Sequence, residues 1–104
     1  MAREKFETLT EQMFYILLNL KEESMGVELM ERISNETAGR VQVGPGTLYN
    51  LLDEFTKEGF IVNTKAEGRK KYYILAEKGK AALKKEYERL TGMIDDFKDI
   101  YGED

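Results

Sequence analysis

The segment Gly44–Gly59 (GPGTLYNLLDEFTKEG) carries the strongest local folding signal in this chain. Gly44 suits the N-cap of a helix, and Pro45 suits the first helical position, where no backbone N–H is needed. Four apolar residues at helical spacing then form one stripe: Leu48, Leu51, Leu52 and Phe55. Gly59 is the residue type that commonly ends a helix. The pattern predicts a helix with one buried face. Both an ordinary surface helix and a helix that enters a nucleic-acid groove fit it.

Two further helices are predicted before this segment. Thr8 begins a capping-box pattern with a glutamate three residues later, and the predicted helix runs over residues 8–20. After a polar break over residues 21–26, a second helix is predicted over about residues 26–38. The β-branched segment 40–43 is long enough for one small strand or for an extended lead into the next helix.

After Gly59 the pattern changes from helical to alternating, which predicts a β-hairpin over residues 60–66 and 69–76. A two-residue turn at Glu67-Gly68 would place Lys65 opposite Lys70. The tip carries four cations: Lys65, Arg69, Lys70 and Lys71. A charged tip is usually a solvated loop. Because like charges directly opposite one another cost stability, phosphate binding is the alternative interpretation.

A long helix is predicted from Glu77 almost to the C-terminus. Six apolar residues alternate in steps of four and three, as in the seam of a coiled coil: Leu83, Tyr87, Leu90, Ile94, Phe97 and Tyr101. The rest of so small a domain cannot cover the whole seam, which favours pairing of this helix with a second copy of the chain. The alternative is that the helix folds back onto its own domain.

Composition excludes several classes of function. The 104 residues include no Cys and no His, which removes thiol and histidine chemistry and nearly every transition-metal site. We therefore expect no enzyme, no metal and no cofactor. No apolar run approaches the length of a membrane span, and MAREKFE lacks a signal-peptide core, so we expect a soluble, cytoplasmic protein with no membrane partner.

Charge is unevenly distributed along the chain. The formal net charge is −4, yet residues 57–90 hold 10 basic and 5 acidic side chains. Phosphate binding needs local cations rather than a basic protein, so the acidic total does not exclude a nucleic-acid partner.

The order of predicted elements is that of a winged helix-turn-helix, in a mainly α (α+β) fold. It places Gly44–Gly59 third, in the recognition position, with the hairpin as the wing. We predict a winged-helix DNA-binding domain over residues 1–79 and a C-terminal dimerisation helix over residues 80–104, packed as one structural unit.

Two blocks, GTLYNLLDEFTKEGFI and GRKKYYILAEKG, resemble the PadR-type transcriptional regulators. Characteristic of that family are a Thr-Leu-Tyr at the start of the recognition helix, a strand with Arg, Lys and paired tyrosines, and a Glu-x-Gly at the start of the last helix. The resemblance covers about residues 9–85. It implies a homodimeric repressor that pairs through its last helix and is released from DNA by a small ligand.

The chain departs from the family pattern in four ways. Ala76 stands where Thr is usual, which weakens the N-cap of the last helix. Asn50 stands where Pro is common, and Asn can contact a base edge. The wing is shorter than in many relatives. The last helix lacks the Trp on which some relatives stack flat aromatic ligands.

These considerations give three predicted sets of residues. The residues predicted to contact double-stranded operator DNA are Arg40, Gln42, Gly46, Thr47, Tyr49, Asn50, Lys65, Arg69, Lys70 and Lys71. The seam residues from Leu83 to Tyr101 are predicted to form the homodimer. A small-molecule effector, hydrophobic or aromatic, would contact Tyr15, Leu18, Leu90, Ile94 and Phe97. The alternative function is a winged-helix adaptor that binds proteins without specific DNA binding.

Overall fold

The computed structural model describes residues 6–102 as four helices and a small sheet. In chain order the elements are α1 (Glu11–Asn19), β1 (Ser24–Met25), α2 (Gly26–Glu36), α3 (Pro45–Glu58), β2 (Ile61–Glu67), β3 (Lys70–Leu75) and α4 (Glu77–Tyr101). The strands form an antiparallel sheet in the order β1-β3-β2. This arrangement confirms the predicted winged helix-turn-helix fold. The outer ends of the two predicted domain ranges, residues 1–5 and 103–104, lie outside the described residues.

Helix α3 forms as its local signals predict. Gly44 is extended at the N-cap, Pro45 begins the helix, and Gly59 ends it with a φ of +79°. The four residues of its apolar stripe are all buried. They pack in one core with Ile16 of α1 and Ile33 of α2. Burying an aliphatic side chain of this size contributes roughly 2 kcal/mol, so this stripe is what fixes α3 on the other two helices.

Helix α1 begins later than predicted. Thr10, not Thr8, is the N-cap, and its side-chain oxygen accepts a hydrogen bond from the backbone N–H of Met13 over 3.2 Å. The sequence-based capping box at Thr8 is therefore wrong. The physical reason lies in Leu9, whose side chain is buried and whose N–H donates to the Glu86 carboxylate of α4. This packing against α4 holds the chain before Thr10 outside the helix.

The third strand of the sheet lies where a polar break was expected. Ser24 pairs with Tyr73 and Met25 with Tyr72, so β1 lines the edge of β3. The β-branched segment 40–43 forms no strand and is the extended lead into α3. A two-residue strand can be identified only from its pairing with another strand, because so short a segment shows no alternation of apolar and polar residues.

The hairpin has a different register from the predicted one. Its turn is Gly68-Arg69, and Gly68 has a φ of +64°, as the first central residue of a type II′ turn requires. Glu67 therefore lies opposite Lys70, and a β-bulge shifts the register between residues 63 and 65. Lys65 faces Tyr72 across the strands. The predicted pair of opposed lysines is thus wrong, and the tip does not carry that repulsion.

Helix α4 packs closely at its start and then leaves the body. A Cβ on Gly79 would lie 2.2 Å from the carbonyl oxygen of Phe60, so only glycine allows this approach. Ala76, the N-cap, makes no side-chain capping hydrogen bond. Every residue from Tyr87 to Tyr101 is exposed. Among the described residues, no helix is long and apolar enough to cross a membrane.

Candidate nucleic-acid interface

The first turn of α3 is open to an approaching anion. Gly44, Gly46 and Thr47 are exposed, and a Cβ on either glycine would meet nothing within 4 Å. Gly44, the N-cap, makes no side-chain capping hydrogen bond to this turn. The free N–H groups at a helix N-terminus and the positive end of its dipole favour a phosphate. Asn50, one turn further on, is also exposed.

A groove joins α3 to the hairpin. It has a volume of about 360 Å³ and is lined by Met25, Gly26, Val27, Tyr49, Asp53, Arg69, Lys70, Lys71 and Tyr73. It brings three of the four predicted hairpin cations to the same surface as Tyr49, which is 46% exposed. We call these residues the α3–wing groove. Asp53 is the acidic residue of this surface, so its cationic part lies toward the hairpin.

Lys65 lies apart from the α3–wing groove. Its Nζ is 4.5 Å from the centroid of the Tyr72 ring and 4.0 Å from a carboxylate oxygen of Glu23. The Tyr72 hydroxyl donates to Glu67 over 3.2 Å. Burial and this hydrogen bond raise the pKa of Tyr72. Lys65 is therefore a cation of the outer strand rather than of the groove.

Arg40 is bound to α1 rather than free. Its guanidinium donates to the Glu11 carboxylate over 2.8 Å and to the Tyr15 hydroxyl over 3.1 Å. The hydrogen bond with Tyr15, and then that with Glu11, raises the pKa of Arg40. Gln42 is held nearby, because its backbone oxygen accepts from Gln12 of α1 over 2.9 Å. Helix α1 thus positions the loop before α3 through both residues.

The sequence did not identify every residue of the groove. Gly26, at the start of α2, was not predicted as a site residue. A Cβ there would lie 2.8 Å from Cε1 of Tyr49. No local pattern identifies such a contact, because 23 positions separate the two residues.

Among the described residues, no group of Asp or Glu side chains could hold a metal ion.

The predicted seam of α4 forms an exposed apolar surface. Leu83 packs partly against the core, and the five seam residues after it are exposed. Phe97 and Tyr101 stack with centroids 5.0 Å apart. Met93 and Ile100 widen the surface, and both were missed because they lie beside the strict coiled-coil spacing. We call this set, Tyr87, Leu90, Met93, Ile94, Phe97, Ile100 and Tyr101, the α4 stripe.

The five residues predicted to line an effector cavity do not share one cavity within this chain. Tyr15 and Leu18 belong to α1, where Tyr15 is half-buried and Leu18 is 44% exposed. Leu90, Ile94 and Phe97 lie on the part of α4 that extends beyond the body.

Comparison with known proteins gives a consistent result. The family described as "Transcriptional regulator PadR-like family" matches residues 16–85. The transcriptional regulator YqjI of Escherichia coli (strain K12) is 33% identical over 70 residues, which is 67% of this chain and 34% of that protein. The chain thus spans about a third of the length of the curated relatives it matches.

Solved structures agree with the fold. A PadR family regulator from Eggerthella lenta DSM 2243 matches with a TM-score of 0.76 at 18% identity, covering 89% of this chain and 83% of that one. Bacillus subtilis PadR in complex with operator DNA matches with a TM-score of 0.63 at 28% identity, covering 71% of this chain and 45% of that one. The family is one of transcriptional regulators rather than enzymes, as we expected. On the match over residues 16–85, this chain belongs to the PadR-like family of transcriptional regulators.

Proposed function

We propose that this chain is a DNA-binding transcriptional regulator that acts as a homodimer in the cytoplasm, as a repressor released by a small hydrophobic or aromatic ligand. The observation that carries the proposal is the α3–wing groove, in which Arg69, Lys70 and Lys71 share one surface with Tyr49. The similarity to Bacillus subtilis PadR in complex with operator DNA supports it.

Contacts to DNA would be divided between α3 and the hairpin. The open first turn of α3, at Gly46 and Thr47, would bind a backbone phosphate. Tyr49 and Asn50 follow on the exposed face and would reach base edges or sugars. The hairpin cations of the groove would neutralise phosphates next to it, and Lys65 would contact a further phosphate from the outer strand. Asp53 would repel phosphate and so confine the contact to the first half of α3.

Arg40 and Gln42 would contribute from the loop before α3. Arg40 is exposed and keeps its charge, although Glu11 and Tyr15 now bind its guanidinium. Glu11 is itself exposed, so a phosphate could compete with it for the same donors.

The α4 stripe supports the homodimer. Its large apolar side chains are between 36% and 86% exposed in one protomer. A single-chain protein rarely leaves so continuous an apolar surface in water. Pairing of α4, with Leu83 at the base of the seam, would bury the stripe and present two α3 helices to half-sites about one helical turn apart. The predicted division at residues 79 and 80 would then separate the DNA-binding part from the dimerisation helix.

A ligand would be bound between the two protomers. Tyr15 and Leu18 of α1 and three residues of the α4 stripe, Leu90, Ile94 and Phe97, are apolar groups that a second chain could bring around one cavity. A panel of hydrophobic cationic and phenolic compounds tests this, with release of labelled DNA and quenching of tyrosine fluorescence as readouts. If no compound produces either effect, the ligand part of the proposal is rejected.

DNA binding is tested with duplexes from the promoter of the chain's own gene, by fluorescence anisotropy across a salt series. We expect affinity to fall steeply with salt, because cations bound to phosphate displace counterions. Lys70→Glu with Lys71→Glu should weaken binding and flatten the salt dependence by about two phosphate contacts. The matched control is Lys84→Glu with Lys85→Glu, the same charge change on α4 outside the groove, which should bind as the unmodified protein does.

The adaptor function predicts a different outcome. Binding that does not depend on salt, or no binding to promoter DNA, would contradict the regulator. A protein partner whose binding survives Lys70→Glu with Lys71→Glu would then favour the adaptor.

A further inference from the structure

The contact between Gly26 and Tyr49 connects two elements of the proposed DNA-binding surface. Gly26 is the first residue of α2 and is buried, while Tyr49 belongs to α3 and is 46% exposed. A Cβ built on Gly26 would lie 2.8 Å from Cε1 and 3.3 Å from Cζ of the Tyr49 ring. The ring therefore occupies the space that a side chain at position 26 would need.

Gly26 has no backbone reason to be glycine. It is not among the residues with positive φ, and it stands in the first turn of a helix, where alanine is more favourable. At such a position, alanine also stabilises by restricting the unfolded chain. The space taken by Tyr49 is thus the feature that requires glycine here, with Leu52 Cδ1 a second neighbour at 3.2 Å.

We infer that Gly26 is a positioning residue for DNA binding: it holds the Tyr49 ring against the start of α2, so that Tyr49 meets DNA already ordered. This inference rests on the proposed function. An exposed tyrosine that is fixed before binding loses less side-chain freedom on contact, which increases affinity. Tyr49 also lines the α3–wing groove together with the hairpin cations, so a fixed ring gives this side of the groove a fixed shape.

Alanine at position 26 should move the ring without unfolding the protein. Tyr49 is half-exposed, so its ring can swing toward solvent when a methyl group takes its place. Leu52 is buried and has to yield by a few tenths of an ångström, and the preference of the helix for alanine offsets this cost, so the fold should survive the substitution.

The test is a double-mutant cycle of Gly26→Ala and Tyr49→Ala, measured by anisotropy on promoter duplexes. Gly26→Ala should weaken binding by between about twofold and tenfold, with an unchanged salt dependence because no charge is removed. In the double variant, Gly26→Ala should add nothing to the effect of Tyr49→Ala. The matched control is Gly92→Ala, a glycine of α4 with nothing within 4 Å of its Cβ position, which should bind normally.

Three outcomes would overturn the inference. The first is normal DNA binding by Gly26→Ala, and the second is normal DNA binding by Tyr49→Ala. The third is that Gly26→Ala lowers the affinity for DNA as much in the Tyr49→Ala background as in the unmodified protein. In each of these, a loss of binding by Lys70→Glu with Lys71→Glu would leave the proposed function intact. Failure of the unmodified protein to bind DNA would reject the proposed function itself.

A measurement on the free protein covers the case in which Gly26→Ala does not fold. Tyr49→Ala removes the aromatic ring current beside Gly26, so the amide and α-proton resonances of Gly26 should shift in NMR spectra. Unchanged resonances would overturn the contact on which the inference depends.

Discussion

The backbone N–H of Leu9 donates a hydrogen bond to Oε1 of Glu86, 3.3 Å away, and so fastens the segment before α1 to α4. Glu86 is 3% exposed, and Nε of Arg89 donates to the same oxygen over 3.0 Å. A second guanidinium nitrogen of Arg89 contacts the other carboxylate oxygen. The hydrogen bonds from Arg89, together with that from Leu9, outweigh burial and lower the pKa of Glu86.

This lowered pKa predicts a loss of stability in acid. A carboxylate whose pKa is lower in the folded than in the unfolded state stabilises the fold above its unfolded pKa. That contribution is lost as the pH falls from about 4.5 through the folded pKa. Glu86→Gln should lower the free energy of unfolding by about 2 kcal/mol at neutral pH. The free energy of unfolding of this variant should also decrease less steeply than that of the unmodified protein as the pH falls below 4.5. Denaturant titrations at several pH values measure both effects.

Glu88→Gln is the control for this prediction, because Glu88 is an exposed glutamate of the same helix. It should leave the neutral-pH stability nearly unchanged. Equal pH dependence in Glu86→Gln and the unmodified protein would contradict the assignment to Glu86.

Ile94→Glu should convert the proposed dimer to a monomer. Ile94 is 55% exposed at the centre of the α4 stripe, and a buried unpaired carboxylate at each copy of this position would oppose pairing. Sedimentation equilibrium measures the mass directly. Lys85→Glu is the control, because Lys85 lies on the side of α4 that faces Phe6 and Phe60. A dimer that persists in Ile94→Glu would show that α4 does not pair through the stripe.

Two glycines of α4 should respond to alanine in opposite directions. Gly79→Ala should destabilise the fold by about 2 kcal/mol, since its Cβ would clash with the backbone of Phe60. Gly92→Ala should stabilise it by up to about 1 kcal/mol, because Gly92 is an exposed helix-interior residue with open space around it. Thermal and denaturant unfolding of the two variants give the comparison, and a common sign would be inconsistent with this packing.

Arg40 provides a fourth prediction. If Arg40 exchanges Glu11 for a phosphate, Arg40→Gln should reduce the salt dependence of DNA binding by about one contact. Glu11→Gln should raise the affinity, because the competing carboxylate is removed. Anisotropy across a salt series measures both. An unchanged salt dependence in Arg40→Gln, together with no gain of affinity in Glu11→Gln, would mean that Arg40 serves only to hold the loop on α1.

Helix α3 could be predicted because everything that defines it is local. Gly44 and Pro45 begin the helix, Gly59 ends it, and the period of the leucines selects its buried face. The same holds for α4, whose apolar period continues for most of its 25 residues. Such elements need no knowledge of their neighbours.

The register of the hairpin could not be predicted, because it depends on a bulge that has no local pattern. Gly68 fits the second position of one two-residue turn and the first position of another, and the bulge between residues 63 and 65 absorbs the difference. Strand β1 depends likewise on Tyr72 and Tyr73, far along the chain.

Of the residues that line the α3–wing groove, the sequence analysis named Tyr49 and three hairpin cations, but it did not give their geometry. The cations of the hairpin are evident from the sequence. Their grouping with Tyr49, the contact of that ring with Gly26, and the binding of Arg40 by α1 are tertiary relationships. Sequence patterns identify which residues have suitable chemistry, and packing decides which of them lie together.

The exposed second half of α4 has a consequence for gene control. If two recognition helices must bind an operator together, and if most of the protein is monomeric, the occupied fraction of the operator follows the second power of the protein concentration. A doubling of synthesis would then raise occupancy about fourfold at low abundance. Weak pairing of the α4 stripe would make the response steeper than proportional, whereas strong pairing would make it proportional, so the apolar side chains of this helix would set how sharply a cell reacts to its own regulator.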